Sequence, residues 1–354
     1  MKALRVYGKR DFRLEDVPEP QPRAGEVKLE VKYCGICGSE LHDYVDGPSL
    51  FPVGKPHPQT GQTAPFIAGH EFSATVRELG AGIKQIAVGD RVVVRPTMPC
   101  YQCRYCREGR HIQCVVLAAL GIAANGAYAR YVTVREDCIY KLPNNVSYEA
   151  GAYAEPLACA VRATRRARLE PGAAVAVVGA GPIGLLTMQM AAACGAGAVH
   201  VFETVAWRRE LALNLGATSA HDPREGDPGK TFAALTEGGR ADIVFECAGT
   251  GPALLLADML CGRGGTIVEM GVQRKPVSFD FFRLFLREKT VVTSQGYTNR
   301  EFEIALNLLQ AGKISVEPMT SAKIALDDVL TRGIEELIGP HRETHCKILV
   351  SPDV

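Results

Sequence analysis

Residues 173–184 read Ala-Ala-Val-Ala-Val-Val-Gly-Ala-Gly-Pro-Ile-Gly, and no other stretch restricts the fold of this chain as strongly. An unbroken apolar run ends at Gly179, glycines recur at Gly181 and Gly184, and a helix-compatible segment covers 185–194. A strand buried on both faces reads as continuous Val and Ala, as in a parallel sheet with helices above and below. The first glycine permits a sharp turn, the second lets backbone approach a pyrophosphate, and the third lets helix and strand pack closely. Phosphates then lie at the positive end of the helix. A glycine triplet alone is also what a tight turn uses. Here a second apolar strand, 198–202, ends in Glu203, 19 residues past Gly184, about where a ribose 2′-hydroxyl needs an acceptor. The expectation is a dinucleotide site. Pro182 and Ile183 in the turn, Arg208 beyond the acid and Val272 after a later strand are its further expected contacts. Glu203 would repel a 2′-phosphate, so NAD is expected over NADP, with Arg208 and Arg209 able to soften that preference.

At 354 residues the chain is too long for one ordinary core, and two domains are the natural reading. A net charge of +1 gives no reason to expect a nucleic-acid partner, and no apolar run is long enough to span a membrane. The N-terminal residues lack the apolar core of a signal peptide. Twelve cysteines then point to a reducing compartment, with cytosol expected, where clustered thiols usually bind metal.

Residues 1–147 are strand-like and punctuated by Pro and Gly, with alternating pieces at 26–33, 72–78 and 90–95. This is the pattern of an irregular β barrel with no long helical period. Residues 46–65 read as a long surface loop of the kind that lines a site. Beyond Pro143 the texture changes. A helix is expected over 147–168, followed by strands at 175–179, 199–203, 242–246, 265–270 and 291–294 alternating with helices. That alternation predicts an α/β domain, a doubly wound parallel sheet of the Rossmann kind, over 148–297. Residues 298–354, with a helix at 301–311 and a strand at 347–350, are expected to return to the first domain.

Cys100, Cys103, Cys106 and Cys114 are separated by two, two and seven residues. Four thiolates in so short a span can surround one ion tetrahedrally, as structural zinc requires. An iron–sulfur cluster would have three residues before the last Cys and a Pro after it, whereas here Val115 follows. With four ligands the tetrahedron is full, so this site stabilises and leaves no position for chemistry. A catalytic zinc needs protein ligands and an open position. Cys37 in Tyr-Cys-Gly-Ile-Cys-Gly-Ser, His70-Glu71 after a glycine, and Glu155 in Tyr-Ala-Glu-Pro-Leu are candidates. Singly, each also fits a buried thiol, a hydrogen-bonded pair or a charge on a helix dipole.

Cys37-Gly38-Ser39, Gly69-His70-Glu71, the four-cysteine lobe, Glu155-Pro156-Leu157 and the glycine turn occur in the order found in the zinc-containing medium-chain alcohol dehydrogenases. The chain resembles that family along its whole length, and within it the 2,3-butanediol dehydrogenase subgroup most, with sorbitol and threonine dehydrogenases as near relatives. The resemblance implies a GroES-like β-barrel catalytic domain beside the Rossmann domain. It implies a catalytic zinc held by Cys37, His70 and Glu155, with Glu71 able to enter or leave the coordination sphere, and a second, structural zinc in the four-cysteine lobe. Ser39 would begin a proton relay and His42 would continue it. The implied reaction transfers hydride between NAD and a small secondary alcohol or vicinal diol, in a homodimer or homotetramer. Apolar walls including Leu50 or Phe51 would flank the substrate, and Glu71 or Glu155 would hold its second hydroxyl. Relatives usually carry Asp where this chain has Glu40, and many carry Asp where it has Glu203. A nucleotide-binding protein with structural zinc only is the alternative of another class, and the joint presence of Cys37, His70 and Glu155 argues against it.

Overall fold

The computed structural model describes residues 1–340 and 342–353, and the chain divides into two units, Met1–Glu155 with Thr320–Val354, and Pro156–Met319. The first unit is built on the strand Glu26–Gly35, where Val27, Leu29 and Val31 face the apolar core and the alternating Lys28 and Glu30 are buried on the other face. It pairs with Glu71–Leu79, Tyr131–Arg135 and, at its end, the closing strand Lys347–Ser351. Together with Arg91–Val94, Ile139–Lys141 and Thr320–Ala325 these form a seven-stranded sheet, accompanied by a three-stranded sheet of Asp11–Asp16, Lys2–Gly8 and Phe66–Ile67. Leu4 and Phe66 from the smaller sheet share one apolar core with Leu29, Phe72 and Ile348 from the larger.

Register is what positions the functional residues. Gly35 stands opposite Glu71 on one side and Leu349 on the other. A Cβ on Gly35 would lie 2.5 Å from Glu71 Oε2 and 2.7 Å from Lys347 Cε, so only glycine fits between them. Cys37 follows two residues later as the N-cap of a helix, Gly38–Asp46, inside a region whose pattern predicted strands and loops. Its capping box explains it: the Glu40 side chain reaches back to the Cys37 N–H. No helix or strand occurs between Asp46 and Phe66, in keeping with a loop there.

The second unit holds a six-stranded parallel sheet in the order Ser219–His221, Ala198–Phe202, Ala174–Val178, Ala241–Glu246, Cys261–Glu269, Thr290–Thr293. The first strand in sequence lies in the middle and the order reverses beside it, the arrangement of dinucleotide-binding sheets. Val175, Val177, Val244 and Ile267 are fully buried, as the continuous apolar runs require. The short strand Ser219–His221 had no counterpart among the sequence expectations, since three residues carry no readable period.

The division between units differs from the sequence expectation. It falls after Glu155, within the helix Ala154–Ala167, and the chain returns to the first unit at Thr320 rather than at 298. The helix Asn299–Gln310 stays with the second unit because Arg165 donates to Glu301 at 2.7 Å, and because the Gln189 amide donates to the Ser315 carbonyl at 3.0 Å.

Candidate active site

Cys37 Sγ, a ring nitrogen of His70 and a carboxylate oxygen of Glu71 lie within 4.8 Å of one another, a mixed sulfur, nitrogen and oxygen set. His70 and Glu71 are buried, at 4% and 1% exposure, while Cys37 is half-buried at the head of its helix. Gly69 delivers His70 through a positive φ of 96° that an L side chain rarely adopts. His70 Nδ1 lies 3.1 Å from Glu40 Oε1. An ionised carboxylate accepts only, so Nδ1 carries the proton and Nε2 keeps the lone pair a metal takes. Burial pushes the imidazole toward its neutral form, but the charge and hydrogen bond of Cys37, with those of Glu40, outweigh it and raise the His70 pKa well above the ordinary value. The donor set fits zinc, whose usual ligands are thiolate, imidazole and carboxylate.

Glu155 opens the helix Ala154–Ala167, half-buried, and lies outside the three-residue set. Around that set stand residues with no motif to announce them. Lys347, only 2% exposed, pairs through Nζ with Glu71 Oε2 and donates to the Ile36 carbonyl at 2.9 Å. Burial opposes its charge, yet Glu71 and then Cys37 hold its pKa above the usual lysine value. Tyr128, fully buried, donates to Glu40 Oε2 at 2.6 Å. The available signals were a lysine opening an otherwise apolar strand, Lys-Ile-Leu-Val, and a glycine at 35 facing it.

Ser39 follows Cys37 in the first turn, its Oγ buried and without a hydrogen-bond partner among the described residues. His42 is three positions on, hence on the same helix face, with 40% of its side chain exposed and Nδ1 3.8 Å from Asp46 Oδ2. The loop 46–65 is tied to this helix by Asp43. Its Oδ2 accepts the N–H groups of Ser49, Leu50 and Phe51 at 3.2, 2.9 and 2.9 Å, and its Oδ1 accepts the Ser49 hydroxyl at 2.8 Å. Leu50 and Phe51, weighed equally as substrate walls, are separated by this tether. Phe51 turns into the core against Phe12 and Phe66, leaving Leu50 46% exposed.

The sulfurs of Cys100, Cys103, Cys106 and Cys114 also lie within 4.8 Å of one another, and none is in a disulfide. N–H groups of Val115 and Cys106 lower the Cys103 thiol to about 6, while burial and then the neighbouring Cys103 push Cys106 up to about 12. A dication would let all four ionise together, so this cage fits structural zinc.

In the second unit Gly179 adopts a φ of 94°, and a Cβ on Gly184 would stand 1.9 Å from the Gly179 carbonyl oxygen. A Cβ on Gly181 would meet nothing within 4 Å, so this side of the turn is open. Gly181 caps the helix Pro182–Ala193 without a side-chain hydrogen bond, so its first N–H groups have no side-chain cap and could hold an anion. Glu203, 7% exposed, accepts from the Ala180 N–H at 2.7 Å and the Val205 N–H at 2.9 Å, which ties the acid to the turn. Arg208 stacks on Trp207 at 5.6 Å. Arg209 is committed elsewhere, to the Glu203 carbonyl and Asp222. Val272, 48% exposed, follows Gly271, whose closeness to Gly249 and Glu246 excludes any side chain.

Residues 23–144 match the alcohol dehydrogenase GroES-like domain family, and residues 182–311 match the zinc-binding dehydrogenase family. The (R,R)-butanediol dehydrogenase of Bacillus subtilis (strain 168) is 38% identical over 354 residues, covering 100% of both chains. The crystal structure of 2R,3R-butanediol dehydrogenase from Bacillus subtilis matches with a TM-score of 0.92 over 99% of each chain, at 38% identity. A sorbitol dehydrogenase of Halalkalibacterium halodurans is 33% identical over 93% of this chain and 94% of its own. A zinc-binding dehydrogenase structure from Sinorhizobium meliloti 1021, bound to NADP, matches with a TM-score of 0.89 at 32% identity over 99% of each chain.

Proposed function

The chain belongs to the zinc-binding alcohol dehydrogenase family, and from that premise we propose that it oxidises (R,R)-2,3-butanediol to acetoin with NAD, and reduces acetoin and diacetyl in reverse. The full-length similarity to a butanediol dehydrogenase carries the substrate assignment. Two zinc ions per chain are proposed, one in the closed four-cysteine cage and one at the open mixed set. Cys37 and His70 are proposed ligands of the second, with Glu155 as the third on the family resemblance although it lies outside the three-residue set, and Glu71, paired with Lys347, able to enter or leave. Zinc bound there would act as a Lewis acid that favours the deprotonated alcohol, and NAD would accept the hydride.

The chain's own residues then handle the proton and the substrate. Ser39 Oγ, buried and unpartnered among the described residues, accepts the hydroxyl proton. His42, on the same face and half in solvent, takes it outward. Leu50 supplies an apolar wall for a methyl end, and Glu71 or Glu155 accepts from the second hydroxyl. Sorbitol would bring further hydroxyls against apolar surface, where each unpaired group costs about 1–3 kcal/mol. Gly181 and the helix it caps hold the pyrophosphate, and Glu203 accepts from the adenosine ribose and disfavours a 2′-phosphate. Phe281, Phe282 and Phe285, 70–76% exposed beside the sheet-edge strand Thr290–Thr293, support a homo-oligomer.

A substrate panel with NAD and NADP tests the reading. (R,R)-butanediol with NAD should rank first in kcat/KM, meso-butanediol lower, and sorbitol and threonine far below. Sorbitol or threonine ranking first would overturn the substrate assignment, and an equal or higher value with NADP would overturn the role of Glu203.

A further inference from the structure

We infer that Tyr128 is a positioning residue of the mixed metal site, acting through Glu40 on both Cys37 and His70; this rests on the reading that those two residues hold zinc. Glu40 is fully buried, and its carboxylate has four partners. Oε1 accepts the Gly69 N–H and faces His70 Nδ1, both at 3.1 Å. Oε2 accepts the Cys37 N–H at 3.1 Å and the Tyr128 hydroxyl at 2.6 Å. One carboxylate therefore touches the backbone of one ligand and the ring of the other.

The origin of those donors decides the assignment. Three of the four belong to the ligand segments themselves, 37 and 69–70, and would move together with any shift of the ligands. Tyr128 is the donor from outside them, and among the described residues it alone ties the carboxylate to the surrounding scaffold. Its phenol has one proton, and although the Gly35 carbonyl lies 3.2 Å away, the charged and closer Glu40 Oε2 takes it. The tyrosine itself is rigidly held. Its N–H donates to the Ala68 carbonyl at 2.9 Å, and its carbonyl accepts from Leu4 at 2.9 Å. A Cβ on Gly69 would come within 2.8 Å of Tyr128 N and 3.1 Å of its ring, so the ring packs directly beneath the turn that presents His70. Loss of the hydroxyl leaves Oε2 with one donor and frees the carboxylate, and with it the His70 ring and the Cys37 cap, to shift as a group.

Removal of groups that orient metal ligands typically lowers metal affinity by about 10–100-fold, and one step further out the lower end applies, about tenfold. The test follows zinc release from the full-length protein to a chromogenic chelator, in wild type, Tyr128→Phe, Glu40→Gln and the double variant. Tyr128→Phe should speed release of one zinc about tenfold, leave the other unchanged, and shift the visible absorption band of cobalt placed at the mixed site. In the Glu40→Gln background the same substitution should add less than about a twofold change, because the route through Glu40 is already lost. Release and spectrum unchanged in Tyr128→Phe, or an undiminished effect in the Glu40→Gln background, would overturn the inference. Should Tyr128→Phe not fold, Glu40→Gln with Tyr128 intact reads the other half of the contact, and acceleration under about twofold there overturns it as well. A wild-type chain holding only the cage zinc removes the metal reading itself, a result visible before any variant is compared.

Discussion

Replacing Lys347 by Met isolates what a buried cation does beside the mixed metal site. Lys347 and Glu71 have side chains only 2% and 1% exposed, and the Nζ group also donates to the Ile36 carbonyl at 2.9 Å. The methionine fills similar volume but leaves Glu71 as an uncompensated charge and Ile36 without that donor. Breaking a buried pair from one side costs about 3–5 kcal/mol, and the orphaned carbonyl adds about 1 kcal/mol. At roughly 2–4 °C per kcal/mol for a domain of this size, the melting temperature of zinc-depleted protein should fall by about 10–20 °C. Bound zinc would supply a replacement cation, so the zinc-loaded variant should lose less. The companion variant Glu71→Gln/Lys347→Met removes both charges and should recover most of the loss. Calorimetric melts of wild type and these variants, with and without zinc, measure this. A shift below about 2 °C in Lys347→Met, or a double variant no more stable than the single, would refute the argument.

Three further outcomes are expected. Cys37→Ser should abolish turnover while leaving a folded protein with the cage zinc, whereas Cys103→Ser should mainly lower stability; one zinc per wild-type chain by metal analysis, with full activity, would contradict the division of roles. Asp43→Ala removes the acceptor of three N–H groups and a hydroxyl at the start of the loop 46–65, so stability should drop by about 2–3 kcal/mol and KM should rise more than kcat falls; a loop as resistant to limited proteolysis as wild type would count against it. Glu269 lies beside Glu246 on adjacent strands, and burial, then the Glu246 charge, raises its pKa from 4.5 to about 8. The folded chain therefore binds the extra proton between those values, and stability declines as pH rises from about 4.5 through about 8. Glu269→Gln should flatten that decline in melts taken across the range, and an unchanged slope would sink the idea.

What could be read from sequence alone shares one property: the residues that interact are close in the chain. The glycine turn, its flanking strand and helix and the acid ending the next strand are one contiguous unit, so the sharp turn at Gly179 and the close packing at Gly184 were legible from spacing alone. The four cysteines lie within one short segment, and their spacing alone closes a cage. The mixed set was different. Cys37 and His70-Glu71 lie at the ends of different strands, and only resemblance to a family brought them together; the register of Gly35 against Glu71 then puts them in one place. Phe51 and Leu50 were indistinguishable as apolar neighbours until Asp43 fixed the loop and turned one inward. Lys347 is the clearest case of a residue only the fold could reveal. It stands 311 positions from Ile36, whose carbonyl it reaches, and although a lysine opening an apolar strand hints at burial, nothing local names its partner. Composition and periodicity report which faces are buried, because burial is a property of each residue, whereas the pairing of buried charges depends on which distant strands become neighbours, and tertiary structure alone decides that.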